Sequence, residues 1–205
     1  MLETRVDYVL FDLGGVLIEL GDLAILQART GFGGDQAEWL GHLDPWLARF
    51  ETGRCSASDF ASGVVADWGV ETTPDQFLEV LMDWAIGPYP GTSELLAELQ
   101  NTVGIGCLSN INAMHWQDQS ERWPVLTTFD DHFLSFELGV RKPDRAVFQA
   151  VADRLRLHPD RILFIDDVAA NVAEARAFGF RAEQVRGVDG AIRALQEVGL
   201  VTRTS

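Results

Sequence analysis

Cysteine and positive charge are both scarce in these 205 residues. The two cysteines, Cys55 and Cys107, form no CxxC or Cys/His cluster, so neither a zinc site nor a disulfide framework is indicated. Cys107 lies inside the apolar run VGIGCLS and reads as a small buried hydrophobe. Sixteen Lys and Arg face 31 Asp and Glu, for a net charge of −15 and a pI near 4.5. Nucleic acids are bound through accumulated Lys and Arg, so this balance argues against such a partner. A small anionic substrate stays open, provided the chain supplies a local positive centre or a metal. No run of 18 apolar residues occurs, which excludes a transmembrane helix. The opening MLETRVDYVLFD lacks the basic start and unbroken apolar segment of a signal peptide, because Asp7 and Asp12 interrupt it. A soluble cytoplasmic protein is the expectation, with an oligomeric state that one sequence does not reveal and a monomer compatible with it. Internal repeats and low-complexity segments are also missing. What is present is ordinary: 47% hydrophobic and 23% charged residues, enough for one large domain or a core with a small insertion.

Short apolar runs rich in branched residues recur at 6–11 (VDYVLF), 103–109 (VGIGCLS), 132–136 (HFLSF) and 161–165 (RILFI). Each has the length of a strand and is apolar enough to be buried on both faces, as in a parallel sheet. Helical patterns lie between most of them. TSELLAELQ puts Leu95, Leu96 and Leu99 on one face, with Thr92 as its expected N-cap. DRAVFQAVADRL spaces Ala146, Val147, Ala150, Val151 and Leu155 for a second helix. NVAEARAFG ends on Gly179, and DGAIRALQEVGL closes the chain as an amphipathic helix. Alternating strands and helices predict a Rossmann-like, doubly wound α/β core.

Residues 18–87 follow another pattern. Four helical stretches occur there with no convincing strand, and Ser56 with Asp59, then Thr73-Pro74 with Gln76, resemble capping boxes. Trp39 and Trp46, spaced with Leu40, Leu43 and Leu47, form the apolar face of one helix. The expected organisation is a core from 1–17 and 88–205, with a helical cap, 18–87, inserted after the first strand.

In open α/β sheets ligands sit at the carboxyl ends of strands. Read in order, Asp12 follows the first run, Ser109-Asn110 the second, Arg141-Lys142 comes shortly after the third, and Asp166-Asp167 follows the fourth. Each alone has a bland reading, as a turn residue, a helix cap or a solvated charge. Joint placement at four successive strand ends converges carboxylates, a hydroxyl and a lysine on one edge. That composition describes a Mg²⁺ site beside an anion site, because Mg²⁺ takes oxygen ligands and keeps waters and phosphate as its other partners. Lys142 and the Ser109 hydroxyl would hold phosphate oxygens, and Asp12 is placed to attack phosphorus as a nucleophile.

The same four segments, FDLGGVL, LSN, RKP and FIDDVAAN, resemble in order the motifs of the haloacid dehalogenase superfamily, across nearly the whole chain. The nearest likeness is to bacterial α-D-glucose-1-phosphate phosphatases, which share DLG, LSNxN, LGxRKP and FxDDxxxN. FIDDVAANVAEARAFG also resembles the phosphatase domain of soluble epoxide hydrolases. The resemblance implies a helical cap after the first strand, re-entry near Tyr89–Gly91, and Mg²⁺-dependent hydrolysis of a small phosphomonoester through an aspartyl-phosphate on Asp12. It further implies that Asp12, Asp166, Asp167 and the carbonyl of Gly14 surround the metal, Asp167 as direct ligand. Asp166 and Asn171 would act one shell out, the Asn110 amide would meet phosphate, and Lys142 would bridge phosphate and Asp12. A sugar phosphate, such as a sugar 1-phosphate, is the implied substrate.

One position departs from the family. Its phosphatases usually carry a second aspartate two residues after the nucleophile, as the acid for the leaving oxygen and then the base for water. Here that residue is Gly14. A general acid–base contributes roughly 10²–10⁴ in rate, against phosphate-ester accelerations reaching about 10²¹; the loss slows an enzyme without abolishing one. Glu19, His42 and His115 are the candidate substitutes, His115 being the histidine nearest a motif; His42, His132 and His158 have no partners at metal-ligand spacing. The alternatives are a dehalogenase, whose family members also lack that aspartate but need no metal and have no paired acid in the fourth motif, unlike FIDD here, and a non-catalytic descendant that binds phosphate or a partner protein.

Overall fold

The computed structural model describes residues 5–202. Residues 1–4 and 203–205, expected in the core, and the first residues of the opening segment lie outside the described residues. Five parallel strands form the main sheet: β1 (Tyr8–Phe11), β4 (Gly104–Ser109), β5 (Asp131–Leu134), β6 (Ile162–Asp166) and β7 (Arg181–Gln184), in the order β5-β4-β1-β6-β7. β1 is central, with Tyr8 in register with Gly104 on one side and Ile162 on the other. Alternate side chains explain why its run is apolar throughout. Val9 and Phe11 face one layer of helices, α5 (Thr92–Leu99) and α10 (Gly187–Glu197), through Leu95, Leu99, Ala191 and Leu195. Tyr8 and Leu10 face the other layer, α8 (Arg145–Leu155) and α9 (Ala169–Phe178), through Phe148, Val151, Val172 and Ala175. The core is a doubly wound α/β sheet.

Three details differ from the sequence reading. β7, of sequence RAEQ, is an edge strand too polar for an apolar-run criterion. The N-cap of α5 is Gly91, at φ +92°, while Thr92 begins the helix and donates its hydroxyl to the Leu17 carbonyl at 3.2 Å. In α8 the buried face is Val147, Phe148, Val151 and Ala152, because Phe148 fills the layer and turns Ala146 outward.

Four helices lie between β1 and α5 and are termed the cap below: α1 (Leu23–Thr30), α2 (Gln36–Glu51), α3 (Ala57–Trp68) and α4 (Pro74–Met82). Both capping boxes close, Ser56 with Asp59 and Thr73 with Gln76. Phe50 and Phe60 stack at 4.5 Å, with Trp39, Trp68 and Phe77 around them. Trp46 is half-buried and Leu40 is exposed, so the buried stripe of α2 is narrower than its periodicity predicts. Where no strand was expected, β2 (Ile18–Leu20) and β3 (Ala85–Pro88) pair antiparallel where the chain leaves and re-enters the core. Gly21 and Trp84 close this exit with two hydrogen bonds, Gly21 N–H to Trp84 O at 2.8 Å and Trp84 Nε1–H to Gly21 O at 3.1 Å. Among the described residues, no helix is long and apolar enough to cross a membrane.

Candidate active site

The sheet's topological switch lies at β1, whose neighbours β4 and β6 belong to successive halves of the winding. Asp12 follows β1 directly, and its N–H donates to the Ile165 carbonyl at 2.8 Å, which fixes it beside β6. Its Oδ1 accepts from Leu13 N–H at 2.7 Å. A tight loop follows, in which Leu17 and Ile18 N–H both donate to the Leu13 carbonyl. Gly15 sits there at φ +75°, and a Cβ on it would overlap the Asp167 carboxylate. Backbone and space both demand glycine at 15. Gly14 lies outside the left-handed region, and a Cβ there would come 3.1 Å from Leu20 Cδ1. A side chain at 14 would therefore project at the β2 leucine.

Lys142 is the chain's only lysine, a signal that motif reading overlooks. Its Nζ stands 2.9 Å from Asp12 Oδ1 and 2.7 Å from Asp166 Oδ2, fully enclosed. Burial works against the ammonium, but Asp12 and Asp166 outweigh it and hold its pKa above the usual lysine value. Asp166 is buried and also accepts from Asn171 Nδ2 at 3.0 Å to each oxygen and from Val168 N–H at 2.7 Å. Burial pushes Asp12 up to about 7, Lys142 pulling it down and Asp166 pushing it further. Asp167 is raised by burial first and Asp166 second. Oxygens of Asp12, Asp166 and Asp167 lie within 4.8 Å of one another. Three carboxylates against one ammonium leave two negative charges to be balanced, and the donors are all hard oxygens. That set fits Mg²⁺.

Ser109 is buried at the end of β4. Asn110 next to it uses its side chain on the Lys142 backbone: Nδ2–H donates to Lys142 O at 2.9 Å and Oδ1 accepts from Lys142 N–H at 2.8 Å. Sequence reading assigned Asn110 only a backbone amide, since this clamp joins residues on different loops. The other candidates go elsewhere. His115 is engaged at both ring nitrogens, with Asn112 Nδ2 at 2.9 Å from Nδ1 and Leu81 O at 3.3 Å from Nε2. It thereby joins α6 (Ala113–Arg122) of the core to α4 of the cap. Glu19 is exposed on β2, and His42 is exposed on α2 with its ring beside Phe32. His132 hydrogen-bonds the Leu126 carbonyl, and His158 pairs with Asp160. Arg141 pairs with two cap carboxylates, Asp44 and Glu51.

Among known proteins, the chain is 25% identical over 187 residues to the D-ribitol-5-phosphate phosphatase of Bacteroides thetaiotaomicron, covering 86% of this chain and 90% of that one. It is 29% identical over 92 residues to bifunctional epoxide hydrolase 2 of Rattus norvegicus, covering 41% of this chain and only 17% of that protein. A HAD family enzyme of Bacteroides thetaiotaomicron, solved in complex with magnesium and inorganic phosphate, superposes with a TM-score of 0.75 at 25% identity, over 88% of this chain and 94% of that one. The model of the haloacid dehalogenase-like hydrolases matches residues 6–179, and the chain belongs to that family of hydrolases.

Proposed function

We propose that this chain is a Mg²⁺-dependent phosphatase that hydrolyses a small phosphomonoester through an aspartyl-phosphate on Asp12, with a sugar phosphate as substrate. One observation carries the reading. The hydrogen bonds and ion pair described for the Asp12 carboxylate all go to Oδ1, while its side chain keeps 11% of its surface open. Oδ2 is thereby left to attack phosphorus. In the first step Asp12 Oδ2 forms a bond to phosphorus as the ester P–O bond breaks, and the alcohol oxygen leaves with the electron pair and takes a proton from water. In the second step water adds its oxygen to phosphorus and gives up a proton that neutralises the hydroxide left by the first step, the bond to Asp12 breaks, and inorganic phosphate departs. Mg²⁺, held by Asp12, Asp166, Asp167 and the Gly14 carbonyl, would neutralise charge on the phosphoryl oxygens. Lys142 and the Ser109 hydroxyl hold the remaining phosphate oxygens, with the Asn110 N–H beside them. Asn171 orients Asp166.

Gly14 supplies no acid to the leaving group. An anomeric oxygen is less basic than an ordinary alkoxide, so a sugar 1-phosphate suffers least from that lack. The resemblance to glucose-1-phosphate phosphatases and the similarity to a phosphatase named for D-ribitol 5-phosphate both support a phosphorylated sugar or polyol. Phosphate release from a panel holding α-glucose 1-phosphate and D-ribitol 5-phosphate, with Mg²⁺ or chelator, tests this on wild type and Asp12→Asn. Metal-dependent release that vanishes in the variant is expected. Release that survives Asp12→Asn would remove the aspartyl-phosphate from the account.

A further inference from the structure

The end of α2 and the turn after it rest on core residues 136–141, the approach to Lys142. Gly53 comes so close that a Cβ there would lie 2.8 Å from the Phe136 carbonyl. Arg54 Nη2 donates to the Gly139 carbonyl at 3.2 Å. Arg141 spans the seam with a forked grip: Nη2 lies 2.6 Å from Asp44 Oδ1 and Nη1 lies 3.0 Å from Glu51 Oε2. Asp44 and Glu51 stand two turns apart on one helix face, a spacing that a planar guanidinium bridges and an ammonium does not. The Glu51 arm is the sheltered one, with 24% and 15% side-chain exposure, whereas Asp44 is 64% exposed and contributes little. The next residue, one peptide unit away, is Lys142, whose Nζ spans Asp12 and Asp166. The loop that delivers the lysine is thus anchored twice: to the core by Asn110, and to the cap by the grip of Arg141 on Asp44 and Glu51.

We propose that Arg141 couples seating of the cap to placement of Lys142, which makes it a positioning residue; its catalytic consequence rests on the phosphatase reading, its structural consequence does not. With the cap seated, both anchors hold the loop and the ammonium stays between the two carboxylates. With the cap lifted, Asn110 alone holds the backbone and the ammonium loses its fixed place. A lid contact is in this way written directly into the charge that steadies Asp12.

The single lysine makes the test direct. Protein labelled with ¹⁵N at the lysine side chain gives one ammonium signal, that of Lys142. Arg141→Gln is expected to shift and broaden this signal and to lower kcat/KM on the best phosphomonoester by about tenfold or more, mostly in kcat, since ångström-scale misplacement costs up to about 10²-fold. Arg141→Lys adds a second lysine and is therefore read by activity alone, where it recovers part of kcat/KM. Arg29→Gln, which breaks an ion pair to Asp83 inside the cap, moves neither the signal nor kcat/KM. Arg141→Gln/Glu51→Gln removes the carboxylate that the single variant strands, restoring stability but not the signal. It also serves as the variant to measure if Arg141→Gln does not fold. An unchanged lysine signal in these variants overturns the proposal, because the Asn110 clamp then suffices. A wild type that turns over no phosphomonoester sinks the phosphatase reading instead, and the lysine signal still decides the coupling.

Discussion

At the carboxyl ends of β1 and β6 the core buries Asp12, Asp166 and Asn171 around one ammonium, whereas the interior between α2, α3 and α4 of the cap holds no charge among the described residues. The cap interior is aromatic, and even its polar handles go unused: the indole N–H groups of Trp39 and Trp68 are buried without an acceptor. Cap charges sit outward or on the seam, where Asp44 and Glu51 meet Arg141. The cap is therefore stabilised by packing, which is insensitive to metal, while the core edge carries buried charges whose desolvation is only partly offset by their pairing. The proposed chemistry is placed where the fold tolerates that cost.

The largest test of this contrast is Lys142→Met. Removing one partner of a buried charge cluster strands the others, at about 3–5 kcal/mol. Urea unfolding at neutral pH should show that loss together with loss of turnover. A loss below about 1 kcal/mol would mean that Asp12 and Asp166 do not depend on the ammonium for their burial. Adding Asp12→Asn to it removes one stranded charge and should recover part of the stability without activity.

Phe60→Ala probes the other side. Phe60 is fully buried between Phe50 and Phe77, and truncating such a ring costs about 3–5 kcal/mol. The expected damage is regional. Hydrogen exchange should rise across α1 to α4 while amides of β1, β4 and β6 keep their protection. An equal rise in both regions would show one cooperative unit and erase the distinction between them.

The convergence of the core's charged residues is legible because most of them stand at strand ends, where a sheet of known winding must bring them together. Asp12, Ser109 and Asp166 need only strand positions to be placed on one edge, whereas Lys142 returns to it through the loop beyond β5, by way of residues 135–141. What escaped depends on contacts that local pattern does not encode. Arg141 meets Asp44 and Glu51 across 97 and 90 residues, and Asn110 clamps a backbone on another loop. β2 and β3 span three and four residues, too short for periodicity to register, and β7 is polar but for Ala182 because the sheet ends there. His115 was expected near the site from its place after LSN, but it lies one helical turn beyond Asn112 and reaches the cap instead.

That histidine gives the smallest and most selective test. Burial holds the His115 imidazole below its ordinary value of 6.5, with the Leu81 carbonyl and Asp118 pulling the other way. The unfolded chain then binds more protons at this site than the folded one, so its contribution to stability is present above about pH 6.5 and is lost as pH falls through the window below. The geometry says why. Nδ1 accepts from Asn112 Nδ2 while Nε2–H faces the Leu81 carbonyl, and a proton on Nδ1 would confront a donor. Asn112 cannot turn its oxygen round, because Oδ1 already caps α6 at the His115 N–H. Asp12 acts in the opposite sense: its folded pKa is raised to about 7, so its contribution is greatest at low pH and fades as pH rises through that value. The two overlap in wild type and separate in a variant. Urea midpoints of wild type and His115→Gln, measured between about pH 5 and 7, should diverge, wild type losing up to about 1.4 kcal/mol per unit more on acidification. Parallel curves would mean that the seam between α4 and α6 does not sense this imidazole, and the cap would then be held by packing and Arg141 alone.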